Sequence, residues 1–238
     1  MSGGWSHAGG DADAFSLKGE RYLSNAIVEW RIFREKQTAA LIPTGMPDMF
    51  TDKRSKKLIL VAHCLLNQNS ISDGTAGFPS QFREIVELLM DHQVGIIQLP
   101  CPELICLGLD RQAPDGATRE LLSENTRIRG LLETEHRLET LRAKAGEVAA
   151  QVEEYGRYGF EVLGLIGIDR SPSCGVETTT KDASEVAGKG IFVAALEEKL
   201  RDHGIVLTMI GVKTSRVLES LDKARKFLVG GRGRSFVD

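Results

Sequence analysis

Four short, mainly apolar runs follow residue 57, the first of them continuous, and an amphipathic stretch comes after each of them. Residues 58–62 (Leu-Ile-Leu-Val-Ala), 94–99, 162–168 and 205–210 lack the polar alternation of a half-exposed strand, so they predict strands buried on both faces. The stretches between them, residues 79–92, 119–158, 192–200 and 217–228, carry apolar positions at helical spacing, with Gly130 or Gly146 as the expected break in the longest. Parallel strands need crossover connections, and a helix is the usual one. Alternating strand and helix therefore predicts the α/β class: a mainly parallel, Rossmann-like sheet with helices on both faces.

The first 55 residues do not share this pattern. Residues 2–14 are rich in Gly, Ala and Asp without an apolar period, and residues 22–41 place Ile27, Trp30 and Phe33 on one helical face. That face suits packing on the main domain, a lid over a site, or a homodimer contact. A Pro/Gly/Met stretch at 43–50 and a charged cluster at 52–57 then mark the border. The expected organisation is a partly helical extension over 1–55 and an α/β domain over 56–238.

Composition narrows the classes. A chain of 238 residues with 42% hydrophobic and 26% charged residues has the makeup of one principal globular core. Its formal net charge of -3, with no long Lys/Arg run, lacks the electrostatic footprint of a nucleic-acid binder. No run of about 18 apolar residues suggests a membrane span, and residues 1–10 lack a secretory pattern, so a cytoplasmic location is expected. Four cysteines in such a chain point to metal or redox chemistry rather than a disulfide framework.

Three of them sit where chemistry gathers. Cys64 follows the first apolar run, Cys101 the second and Cys174 the third, each at the carboxyl end of a predicted strand. In an open parallel sheet those ends share one edge, where ligands bind. Pro100, Pro102 and Pro172 stiffen the loops, and Gly175 permits close backbone approach. Thiolates are soft ligands that select iron–sulfur clusters, zinc or copper(I). No pair of cysteines has the Cys-x-x-Cys spacing, so spacing alone leaves several readings open. These are buried thiols, a closed zinc site using all four cysteines, and an iron–sulfur redox or sensor protein.

The segments 61–67, Cys101-Pro102-Glu103 with Gly108-Leu109, and Ser171-Pro172-Ser173-Cys174-Gly175 resemble the three motifs of the thiouracil desulfidase family. The resemblance spans about residues 57–228, and the last motif is its most specific part. It implies one [4Fe-4S] cluster held by only Cys64, Cys101 and Cys174, and an enzyme that hydrolyses C=S to C=O in a thiolated nucleobase or nucleoside without net redox change. The partner so implied is a small thiocarbonyl substrate. Glu103 matches the family's catalytic glutamate and Ser171 the serine that faces substrate. From the residues alone, Glu103 also fits a helix-start carboxylate and Ser171 a turn hydroxyl. Ser173 reads as structural, Cys106 as a core thiol in the run Leu104-Ile105-Cys106-Leu107, and His63 as pointing away from Cys64. Asp73-Gly74 reads as a turn. The chain departs from the family at Asn67, where glycine is usual, and at Ser72, where an aromatic residue is usual. Arg111 stands near a family arginine. These departures lie in the expected substrate pocket and suggest a divergent branch.

Overall fold

The structure, a computed structural model, describes residues 50–230 and the backbone of residues 235–236. The chain divides into Met1–Met46 and Pro47–Asp238. The expected helix over 22–41 lies outside the described residues.

The first strand, β1 (Lys57–Val61), runs into a short helix, α1 (His63–Leu66), and one 3-10 turn (Gln68–Ser70). Helix α2 (Arg83–Asp91) leads to β2 (Gly95–Gln98), which feeds α3 (Pro102–Leu107). Helices α4 (Leu121–Leu132) and α5 (Glu135–Arg157) precede β3 (Glu161–Ile168). A hairpin of β4 (Thr178–Lys181) and β5 (Ser184–Ala187) comes next, then α6 (Ile191–Asp202), β6 (Ile205–Val206), β7 (Met209–Val212), α7 (Val217–Val229) and β8 (Ser235–Phe236).

Strands β2, β1, β3 and β7 form, in that order, one sheet whose pairings are all parallel. Because the apolar runs lack polar alternation, both faces are covered. Leu60, Ile97, Val162 and Leu165 pack on one side against Leu141, Val148 and Val152 of α5 and Phe192 and Leu196 of α6. Ile59, Val61, Leu163 and Ile166 pack on the other against Ile85 and Leu89 of α2 and Ala224 of α7. Full burial of such a side chain contributes roughly 1.5–3 kcal/mol, so the sheet is held mainly by its two apolar faces.

One glycine makes this division work. Val162 and Leu165, three positions apart, share a face because the register against β1 slips between Leu58 and Leu60. The extra residue is accommodated near Gly164, whose φ of +147° and closeness to Thr208 (2.1 Å from an added Cβ to its carbonyl oxygen) exclude any side chain.

Three details differ from expectation. The long helical stretch breaks at Glu133 and Thr134 rather than at Gly130 or Gly146. The run 205–210 splits: β6 pairs antiparallel with β8, and only β7 joins the sheet. The polar loop after Cys174 contains the β4–β5 hairpin. Among the described residues no helix is long and apolar enough to cross a membrane.

Candidate functional site

The sheet order reverses direction between β1 and β3: the chain moves from β1 to β2 on one side, then crosses to β3 on the other. A crevice opens beyond the carboxyl ends of strands at such a reversal. Here Cys64, one residue into α1, and Cys174, in the loop after β3, flank that point, with Cys101 beyond β2. All three line one cavity, with Glu103, Ser171 and Ser173.

Each cysteine is fixed by its local chain. The Cys64 carbonyl accepts the Gln68 amide at 2.6 Å, and the Gln68 side-chain oxygen accepts the Gly77 N–H at 3.0 Å, so this buried glutamine ties the turn after β1 together. Cys101 caps α3: its Sγ accepts the Leu104 N–H at 3.5 Å, and Pro102 stands at the first turn, where the missing N–H costs nothing. Around Cys174 the backbone folds tightly. Ser171 Oγ accepts the N–H groups of Ser173 (3.3 Å) and Cys174 (3.0 Å), while Asp169 Oδ1 accepts those of Val176, Glu177 and Thr178 at 2.9–3.3 Å. A Cβ on Gly175 would stand 2.2 Å from the Thr178 carbonyl, which is why only glycine fits there.

Glu103 lies at the centre. Its side chain is buried beside Arg111, with Arg111 Nε donating to Oε2 at 3.1 Å; the Ser72 hydroxyl donates to Oε2 at 3.2 Å and Ser173 to Oε1 at 2.7 Å. Arg111 also donates to the carbonyls of Ser70, Gly108 and Leu109, bracing the turn after Cys64 against α3. Ser173 Oγ lies 3.2 Å from Ser171 Oγ, so the two sequence-predicted catalytic residues are joined through a serine expected to be structural. Ser171 lines the cavity while serving the turn its position suggested. His63 lines the cavity as well, with Nδ1 against the Gln98 amide and Nε2 buried without a hydrogen bond. Cys106 packs against the core on the α5 side, away from the cavity lining. Gln68 and Asp169 were not identified as site-forming from sequence, because a buried polar residue beside a ligand loop leaves no periodic signal; Arg111 had been marked only by its nearness to a family arginine.

Electrostatics sets the thiols apart from ordinary ones. Burial, then the charges of Cys101 and Glu103, pushes Cys64 up to about 12. Burial and Glu103 raise Cys101, and burial with both other thiols raises Cys174 well above its usual value. Three thiolates here need a positive centre to be held. Donors already point at the sulfurs: the Leu104 N–H and Arg111 Nη2 (4.0 Å) at Cys101, and Ser173 Oγ (3.7 Å) at Cys174. Hydrogen bonds to sulfur of this kind tune iron–sulfur ligands. Among the described residues no three His, Cys, Asp or Glu lie close enough to hold a single metal ion. A lone zinc would need its sulfurs within about 4 Å of one another. Three buried thiols lining one cavity form a soft donor set that could hold a metal or a cluster.

Fold and site together define an α/β protein with a three-cysteine cavity at the switch point of a parallel sheet. The uncharacterized protein MJ0003 of Methanocaldococcus jannaschii is 34% identical to the chain over 123 residues, which are 52% of this chain and 70% of that protein. The chain belongs to the same family as that archaeal protein. No family model matches the chain, and no solved structure matches it.

Proposed function

We propose that this chain is a cytoplasmic, non-redox desulfidase that hydrolyses C=S to C=O, releasing sulfide, in a thiolated nucleobase or nucleoside such as 2-thiouracil. Cys64, Cys101 and Cys174 would hold a [4Fe-4S] cluster. The observation that carries this reading is the convergence of these three thiols, from three strands, on one cavity that also contains Glu103. Bound there, the cluster would supply an iron without a protein ligand, a Lewis acid for the thiocarbonyl sulfur.

The chain's own groups handle the protons. Glu103 is fixed in orientation by Arg111, Ser72 and Ser173, and Oε1 retains one acceptor position beside the Ser173 bond. It takes the proton of a water attacking the thiocarbonyl carbon. Ser171 Oγ accepts two backbone N–H groups, so its own proton is free to be donated to a ring nitrogen or to Ser173. The Glu103–Ser173–Ser171 hydroxyl chain connects the two positions. One water is consumed, one sulfide leaves, and no electrons are exchanged.

The test is sulfide release from 2-thiouracil and 2-thiouridine by anaerobically reconstituted protein without a reductant. Glu103→Gln and Ser171→Ala should each lower turnover by roughly 100-fold or more at unchanged iron content. Cluster-loaded protein that releases no sulfide from any thiocarbonyl would refute the reading.

A further inference from the structure

Three strands of the sheet lead into a cysteine of the cavity, and the fourth leads into a lysine. β7 ends at Val212; Lys213 follows it, and Lys223 stands in α7 beyond. Both ammonium groups reach back to one segment, residues 174–185, which begins with Cys174. Lys213 Nζ donates to Glu185 Oε1 at 2.5 Å, and the Thr178 hydroxyl donates to the same oxygen at 2.7 Å. Lys223 Nζ pairs with Glu177 Oε1 at 2.6 Å, donates to the Gly211 carbonyl at 2.7 Å and faces Asp169 Oδ2 at 4.0 Å. Lys223 does not line the cavity, so any effect it has on a thiol there passes through these partners.

Asp169 is the link between that lysine and the thiol. Its side chain is only 8% exposed, and one oxygen, Oδ1, takes the N–H groups of Val176, Glu177 and Thr178. Among the described residues, Lys223 is the one cation paired with this carboxylate. An added Cβ on Gly211 would stand 1.9 Å from Asp169 Oδ1, so β7 carries glycine where the carboxylate lies. The backbone is tied in as well: the Asp169 N–H donates to the Val212 carbonyl at 3.0 Å, and the Ile168 N–H donates to the Cys174 carbonyl at 3.1 Å. The turn that presents Cys174 is thus closed around a buried carboxylate whose charge α7 balances. A buried charge that loses its partner is strongly destabilising. Removing the ammonium therefore loosens first what Asp169 holds, the three N–H groups just past Cys174.

We infer that Lys223, acting through Asp169 and Glu177, is the positioning residue for the Cys174 thiol. Groups that stand one step behind a metal ligand typically change affinity for the metal by roughly 10- to 100-fold. The inference rests on the desulfidase reading only for the identity of the group that Cys174 would hold, and the placement of the thiol is testable in cluster-free chain.

The experiment follows alkylation of Cys64, Cys101 and Cys174 by iodoacetamide in the reduced, cluster-free, full-length chain, each thiol read by peptide mass spectrometry in the same sample. Lys223→Met should speed modification of Cys174 by about ten-fold, with Cys64 and Cys101 changed by less than about two-fold, because the opening is local. Lys223→Arg keeps the charge and should return Cys174 to within about three-fold of wild type. Asp169→Asn should match Lys223→Met, and the double variant should be no faster than either, since the two act as one unit. In anaerobically reconstituted chain, Lys223→Met should release iron to a chelator about ten-fold faster than wild type. Equal acceleration at all three thiols would overturn the inference by showing a general loosening. An unchanged Cys174, an Lys223→Arg chain as fast as Lys223→Met, or unchanged iron release from a loaded chain would overturn it too. If Cys174 alone is unmasked and the wild-type chain takes up no cluster, the desulfidase reading fails and the positioning role stands.

Discussion

Replacing Arg111 with methionine tests the idea that one buried ion pair holds the cysteine loops in place. The side chains of Arg111 and Glu103 are only 3% and 11% exposed, and the guanidinium also serves the carbonyls of Ser70, Gly108 and Leu109. Methionine fills much of the volume but leaves Glu103 buried without its counter-charge and three carbonyls without a donor. Breaking a buried pair in this way costs about 3–5 kcal/mol, a large fraction of the roughly 5–15 kcal/mol that holds a domain. With a urea dependence of about 2 kcal/mol per molar, the unfolding midpoint should fall by about 2 M. The assay is urea unfolding of cluster-free protein followed by circular dichroism, because a bound cluster would break two-state behaviour. Adding Glu103→Gln to Arg111→Met should recover part of the loss, since the buried charge is gone. A midpoint shift below about 0.5 M, or a double variant less stable than Arg111→Met, would refute the bracing role.

Three further outcomes follow from local geometry. Gly164→Ala should cost about 3 kcal/mol or leave the protein insoluble, because an added Cβ would meet the Thr208 carbonyl at 2.1 Å; thermal melting checks it. Ala183→Gly should raise stability by about 0.5–1 kcal/mol, because Asp182 and Ala183 both adopt positive φ (50° and 52°) in the β4–β5 turn, measured as a shift in urea midpoint. Glu124 is held below the usual glutamate range, first by its hydrogen bond to Arg127. Its stabilisation is therefore complete above the unfolded value of about 4.3 and lost as pH falls through the depressed folded value. Glu124→Gln should flatten the acid limb of stability below that value, and an unchanged limb would contradict the pairing.

Much of the fold was legible because buried parallel strands declare themselves: residues 58–62 and 162–168 carry no polar alternation, and both became interior strands. The helix break was not. Added Cβ atoms at Gly130 and Gly146 would meet nothing within 4 Å, so each glycine sits in open space at a cost of about 1 kcal/mol and stops nothing. The chain turns at Thr134, whose hydroxyl donates to the Leu131 carbonyl at 3.1 Å, as Arg137 Nη1 does at 2.9 Å, a closure that periodicity cannot reveal. The β4–β5 hairpin lacked a signal because β5 is exposed throughout and its turn is Asp-Ala rather than Asn-Gly. At the site, the positions of the three cysteines were readable from strand ends. The partnership of Glu103 with Arg111, Ser72 and Ser173 was not, since it joins residues up to 70 positions apart.

Iron and acid-labile sulfide, counted after anaerobic reconstitution, test the central claim most directly. The account predicts about four irons and four sulfides per wild-type chain, loss in Cys64→Ala, Cys101→Ala and Cys174→Ala, and near-normal content in Cys106→Ala, whose thiol packs in the core. Equal loss in Cys106→Ala, or a wild-type chain that takes up a single metal ion and no sulfide, would contradict it.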